Sequence, residues 1–269
     1  MADPNMITLT GIQHVLLDIE GTTCPVSFVA ETLFPYAARQ LETYLNAHAQ
    51  EESIQALLAE LMRLWSEDPD PQAQRLRREA AGLEPAGRAA TAASATQTVL
   101  PYLHWLIAAD RKITPLKDLQ GRIWAEGYER GELHGPLFAD VPAALHAWAA
   151  QGLVLAVYSS GSIQAQQLLY GHSSGGDLRC LFSHWFDTKT GPKQDASSYT
   201  RICEVMKTPA ECVLFISDAI AELQAASAAG LRVIFSRRLG NPEQNPSSYP
   251  WISSLTAIQI GNQNVTTTT

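Results

Sequence analysis

Four short apolar runs, each closed by polar or charged residues, constrain this chain more than any other feature. They are Val15-Leu16-Leu17 ending at Asp18, residues 153–158 (LVLAVY) ending at Ser159, residues 212–216 (CVLFI) ending at Ser217 and Asp218, and Val233-Ile234-Phe235. Runs of this length without polar alternation suit strands buried on both faces, and such strands belong to parallel sheets covered by helices. Helical spacing fills the gaps. One helix runs through Leu145 and Trp148 and stops at Gly152, a second spans 162–170, a third spans about 197–206, and an Ala-rich fourth stops at Gly230. A further short strand is expected at 182–186, followed by a loop over 187–194. This β-α-β-α order predicts an α/β fold: a doubly wound parallel-sheet Rossmann-like core with right-handed crossovers.

The rhythm is interrupted after the first strand. From about residue 27 to 128, Val29, Leu33, Ala37, Leu41, Tyr44 and His48 recur at helical spacing, as do Ile54, Leu57, Leu58, Leu61 and Trp65. Thr114-Pro115 reads as an N-cap followed by proline at the first helical position. Strand signals are absent there, so the expected organisation is an α/β core from 1–25 and 130–260, an inserted helical cap at 26–129 and a polar tail at 261–269. A loop is expected between helices from Ala80 to Ala95, and the chain after Trp251 is expected to fray. Asn264-Val265-Thr266 matches a glycosylation sequon, which has little weight without a secretory leader.

Composition narrows the partners. With 19 Lys+Arg against 27 Asp+Glu the formal charge is -8, which argues against a surface for the nucleic-acid backbone. The four cysteines (Cys24, Cys180, Cys203, Cys212) form no C-x-x-C pair and suit a reducing, cytoplasmic compartment. The beginning of the sequence has no leader pattern, and no apolar stretch is long enough to span a bilayer, so neither secretion nor a membrane partner is expected. The acidic surface and small-molecule site predict a monomer.

Open α/β sheets bind ligands outside the carboxyl ends of their strands, at the switch point in strand order. The residues expected there are Asp18 with Glu20, then Ser159-Ser160-Gly161-Ser162, then Asp218, with Lys193 from the loop after the 182–186 strand. Carboxylates gathered at one sheet edge repel unless a cation lies among them, and oxygen donors of this kind suit Mg²⁺. Ser159, Ser160 and the amides of the Gly161 turn at a helix N-terminus suit a phosphate, and Lys193 would neutralise charge. Together they suit phosphoryl transfer by in-line attack of a carboxylate. Singly, each has a plainer reading: Asp18-x-Glu20 as a turn, Ser159-Ser160 as a cap, Lys193 as a solvated lysine, and Asp218 as a helix cap with Glu222 on the helix face. His172 and His184, on the same side of the fold, are read as structural. Trp65, Trp105 and Trp148 are read as core, and Arg75, Arg77 and Arg78 as a solvated helix face.

In this order the four elements resemble the haloacid dehalogenase-like hydrolase superfamily. Within it, Asp18-Ile19-Glu20-Gly21-Thr22-Thr23, Tyr158-Ser159-Ser160-Gly161-Ser162, residues 186–193 (FDTKTGPK) and Ser217-Asp218 resemble the enolase-phosphatases of methionine salvage. Residues 110–124 of the helical insert resemble the same group. The resemblance implies Asp18 as nucleophile, Glu20 as general acid/base whose backbone carbonyl binds metal, and Asp218 completing the Mg²⁺ site, with one ion per chain. It also implies Ser159 and Ser160 as phosphate ligands and Lys193 as charge neutraliser, with Lys189 outside the site. The implied reaction enolises 2,3-diketo-5-methylthiopentyl-1-phosphate and then removes its phosphate, beneath a cap that excludes water. The alternatives are a Mg²⁺-dependent phosphatase of another small ester, a dehalogenase, which does not need Glu20 and Asp218, and a phospho-accepting receiver module. A receiver has no room for a helical insert of about a hundred residues.

Overall fold

The computed structural model describes residues 6–81 and 92–261. Contacts divide the chain into an α/β unit, residues 1–28 and 133–269, and a helical unit, Val29–Glu132.

The α/β unit begins with β1 (Ile7–Thr10) and β2 (His14–Leu17). After the helical unit it continues through α6 (Val141–Ala150), β3 (Val154–Tyr158), α7 (Ile163–Gly171), β4 (Phe182–Phe186), α8 (Ala196–Met206), β5 (Val213–Ser217), α9 (Ile220–Ala228) and β6 (Arg232–Ser236), and closes with β7 (Trp251–Ile252) and β8 (Ile258–Gly261). Among the described residues, six strands form one sheet in the order β4-β3-β2-β5-β6-β7, every neighbouring pair parallel. The chain grows from β2 through β3 to β4, then returns to β5 on the other side of β2. The strand order therefore reverses beside β2, which sets the switch point at its carboxyl end.

Burial explains the apolar runs. Val15, Leu16, Leu17, Leu155, Ala156, Val157, Leu214, Phe215 and Ile216 have no exposed surface, so neither strand face has a place for a polar side chain. One core cluster joins Leu16, Ala156, Tyr158 and Phe215 to Tyr199, Ile202 and Met206 of α8 and Leu223 of α9. Burying each aliphatic or aromatic side chain of this size contributes about 1.5–3 kcal/mol. Register then aligns the strand ends. Leu17 pairs with Val157 on one side and Ile216 on the other, so Asp18, Tyr158 and Ser217 end their strands on one line.

The helical unit opens with a wide helical turn (Val29–Leu33) and holds α1 (Phe34–Ala47), α2 (Glu52–Glu67), α3 (Pro71–Ala81), α4 (Ala92–Ala108) and α5 (Thr114–Glu129). Trp65 is buried, stacked 4.8 Å from Tyr102, and donates its indole N–H to the Ala73 carbonyl at 2.8 Å, which joins α2, α3 and α4. Asp68 is buried beside them and accepts from the Tyr102 hydroxyl at 2.9 Å and from Arg111 at 3.3 Å. Arg75, Arg77 and Arg78 are exposed, as read, and Trp148 is core, whereas Trp105 is only half-buried, with Arg111 over its ring at 5.2 Å.

Three expectations need correction or restriction. The chain after Trp251 does not simply fray: β7 extends the main sheet and β8 pairs with β1, Ile7 opposite Ile258 through Thr10 opposite Gly261. Alternating four-residue strands of this kind carry too little pattern to stand out. Thr114 is the first helical residue of α5 and Ile113 the cap, so Pro115 still occupies the first turn. Most of the loop expected at Ala80–Ala95 and the sequon at Asn264 lie outside the described residues.

Candidate active site

The carboxyl end of β2 carries Asp18, whose amide donates to the Ile216 carbonyl at 3.0 Å, so the ladder with β5 fixes its backbone. The chain then turns tightly. The amides of Thr22, Thr23 and Cys24 all donate to the Ile19 carbonyl, at 3.1, 2.9 and 2.9 Å. Gly21 sits at φ +71°, and a Cβ there would collide with the Asp218 carboxylate, so glycine lets β5's acid approach this loop. Buried side chains also hold the turn. The Gly21 carbonyl accepts from Ser236 Oγ at 3.0 Å and Asn241 Nδ2 at 2.9 Å, and the Thr22 carbonyl accepts from Arg238 at 3.1 Å. Arg238 in turn makes a paired contact with Asp140, 2.9 Å at each oxygen.

β3 delivers Ser159, buried, whose hydroxyl accepts from the Gly161 amide at 3.3 Å, and Ser160 beyond it. Ser162 caps α7 by accepting from the Ala165 amide at 3.3 Å, which directs the helix N-terminus toward this loop. Gln166, buried on α7, donates to the carbonyls of Gly161 and Phe186 at 2.9 and 2.8 Å and ties the serine loop to β4.

Lys193 is the central cation. Its Nζ lies 2.5 Å from Asp18 Oδ1 and 2.7 Å from Glu222 Oε2, with its side chain 9% exposed. Burial alone would favour loss of its proton, but the carboxylates of Asp18 and Glu222 outweigh that and hold it firmly cationic. Asp218 has the opposite fate. Burial, with the charges of Asp18, Glu222 and Glu20, pushes its carboxyl up to about 7, only partly offset by Lys193. Glu222 is likewise raised, first by burial and then by Asp18, despite its contact with Lys193 and a 2.8 Å hydrogen bond from Ser217 Oγ.

These groups line one cavity of about 220 Å³, together with Val26 and Pro242. Asp18, Glu20, Ser159, Ser160, Lys193 and Asp218, expected from separate strand ends, are all in its wall. Glu222, read as a helix-face carboxylate, is there too: its side chain is 14% exposed and faces Lys193. Its position four residues after Asp218, one turn into α9, was the signal available. His172, His184 and Lys189 are not in the wall.

The wall holds four carboxyl groups and one ammonium, a surplus of oxygen donors that a hard divalent cation would satisfy. No three His, Cys, Asp or Glu side chains converge on one cation position among the described residues. Asp18 and Asp218, at the ends of neighbouring strands, are carboxylates of the kind such a cation takes.

A buried carboxylate at the switch point, gripped by a lysine and flanked by serines and acids, is the equipment of a phosphoryl-transferring hydrolase. The sequence model of the haloacid dehalogenase-like hydrolases matches residues 12–230, and the chain belongs to that family. Within the family its similarity is to the enolase-phosphatases. Enolase-phosphatase E1 of Prochlorococcus marinus (strain MIT 9313) is 48% identical over 247 residues, 92% of this chain and 98% of that protein. Enolase-phosphatase E1 of Synechococcus sp. (strain RCC307) is 47% identical over 94% of this chain and 96% of its own length. Among solved structures, the UTR4 protein of Saccharomyces cerevisiae superposes with a TM-score of 0.68 at 28% identity, covering 91% of this chain and 98% of that one.

Proposed function

We propose that this chain is a bifunctional enolase-phosphatase that enolises 2,3-diketo-5-methylthiopentyl-1-phosphate and then hydrolyses the phosphate to give the acireductone of methionine salvage. The observation that carries the phosphatase half is the 2.5 Å contact between Lys193 Nζ and Asp18 Oδ1 inside a cavity that also holds Ser159, Ser160 and Asp218. Relatives bearing the enolase-phosphatase name over nearly their full length support the substrate.

In this reading an Asp18 oxygen attacks phosphorus in line, the ester P–O bond breaks, and Glu20 gives its proton to the departing alkoxide. Glu20 then takes a proton from water as that water attacks the aspartyl-phosphate, which releases phosphate and restores the Asp18 carboxylate. Ser159 and Ser160 donate to the non-bridging oxygens. Lys193 keeps its charge throughout and offsets the charge that builds on the phosphoryl group. Asp18, Asp218 and the Glu20 carbonyl would hold one Mg²⁺, which when bound would neutralise phosphate charge and polarise a substrate carbonyl. The helical unit is assigned to substrate choice. The working protein is taken to be a cytoplasmic monomer; no helix among the described residues is long and apolar enough to cross a membrane.

The test is to supply purified protein with the diketone phosphate and Mg²⁺ and to follow ultraviolet absorbance and phosphate release together. An absorbing enol followed by free phosphate, both lost with chelator, is expected. Phosphate without enol would leave a Mg²⁺-dependent phosphatase of another small ester, and phosphate release unaffected by chelator would overturn the metal assignment.

A further inference from the structure

The loop that presents Lys193 lacks the support of regular secondary structure. Gly191 lies at φ +147°, and no residue between β4 and α8 is part of a sheet ladder. Three consecutive carbonyls of this loop are instead each held by a side-chain hydroxyl. Gly191 O accepts from Tyr158 Oη at 2.9 Å, Pro192 O from Ser198 Oγ at 2.8 Å, and Lys193 O from Tyr199 Oη at 2.8 Å.

The three donors lie in the core: Tyr158, Ser198 and Tyr199 have no exposed surface. The two tyrosine rings meet edge to face at 5.5 Å, and Tyr199 packs on Phe215 of β5 at 5.1 Å. Burial raises both phenols, so they stay protonated and remain donors across the working pH range. Tyr158 also precedes Ser159 directly, and Lys193 Nζ lies 5.8 Å over its ring. One strand end therefore fixes both the serine loop and the lysine loop.

A lysine has four rotatable bonds, and its ammonium can be placed only as well as its backbone is placed. Two carboxylates at 2.5 and 2.7 Å define where that ammonium must be. We propose that Tyr199, Tyr158 and Ser198 are positioning residues for Lys193: their hydroxyls clamp residues 191–193 so that the ammonium meets Asp18 in its attacking position. This inference rests on the phosphatase reading for its catalytic consequence and on geometry alone for the clamp.

Tyr199→Phe keeps the ring in the core and removes only the hydroxyl, and Tyr158→Phe does the same from β3. Each is compared with the parent in two measurements. Steady-state phosphate release from the diketone phosphate should show kcat lowered about tenfold or more with KM changed less than about threefold, because the variant binds substrate but misplaces the charge needed at the transition state. Acetic anhydride labelling, read by peptide mass spectrometry, should show Lys193 acetylated several-fold faster in the variant while Lys112, Lys117 and Lys189 label as in the parent. A loss of structure without a positioning role would raise labelling at all lysines and move KM. If both variants match the parent in kcat, or in Lys193 labelling, the clamp is refuted. If the parent itself releases no phosphate, the functional reading fails, and Lys193 labelling alone decides the clamp. If Tyr199→Phe does not fold, Tyr158→Phe and Ser198→Ala supply the same two measurements.

Discussion

Lys193 Nζ and Asp18 Oδ1 lie 2.5 Å apart although 175 residues separate them in the chain, and the helical unit is inserted between them. Both side chains are under a tenth exposed. Removing Lys193 would leave Asp18 and Glu222 as buried carboxylates without their cation, a loss that typically costs about 3–5 kcal/mol, whereas removing Asp18 leaves the lysine its contact with Glu222. The pair therefore persists only because β2 and the 191–193 loop deliver both ends together.

Asp18→Asn removes the nucleophile while keeping the side-chain shape. Phosphate release should fall by at least about a thousandfold, with the far-ultraviolet circular dichroism of the parent retained. Retained hydrolysis would remove Asp18 from the mechanism.

Glu20→Gln takes away the base that activates water. With an aryl phosphate, whose leaving group needs no proton, phosphorylation of Asp18 should proceed and its hydrolysis should slow, so a phospho-protein should accumulate in acid-quenched mass spectra. Failure to detect it while turnover continues would assign the base elsewhere.

Asp218→Ala should raise the Mg²⁺ concentration needed for half-maximal phosphate release about tenfold or more and weaken Mg²⁺ binding measured by calorimetry without substrate. Unchanged binding would exclude Asp218 as a ligand.

Gly21→Ala forces a side chain into φ +71° and against the Asp218 carboxylate. The backbone conformation alone costs about 1–2 kcal/mol. Urea unfolding should show at least that loss, accompanied by reduced phosphatase activity; a variant with the parent's midpoint and rate would contradict the close approach of the two loops.

Asp140 and Arg238 form the pH-sensitive support of this turn. Burial works to raise the Asp140 carboxyl, but the Arg238 guanidinium and the Leu255 amide outweigh it and hold it below its ordinary value. A depressed folded value means that its stabilisation is complete above the unfolded value and disappears as pH falls through the folded one. Acid unfolding of Asp140→Asn should therefore show a shallower loss of stability below about pH 4 than the parent. Arg238→Ala should cost about 3 kcal/mol at neutral pH, measured by urea unfolding.

Much of this was legible in the sequence because it is local. Asp18 and Ser159 directly follow, and Asp218 follows by one residue, an apolar run that suits a two-face-buried strand, so their places at strand ends are readable from the runs. The facing of Glu222 was not legible for an equally physical reason. A single acid in the first turn of a helix has the same local pattern whether it faces solvent or a cavity, and its direction is settled by how α9 packs on β5 and β6. β1 and β8 escaped because each is four residues long and acquires its pairing only when the two ends of the chain meet.

By itself, then, the order of apolar runs and helical segments determined a parallel α/β core and pointed to the strand ends whose residues line the cavity, because burial dictates residue type one strand at a time. Only the tertiary structure decided that Lys193 lies between Asp18 and Glu222, that Asp218 is pushed up to about 7, and that hydroxyls from β3 and α8 hold the lysine loop. Those facts depend on distances between segments far apart in sequence, and charge–charge energy and hydrogen bonding respond to separation in space.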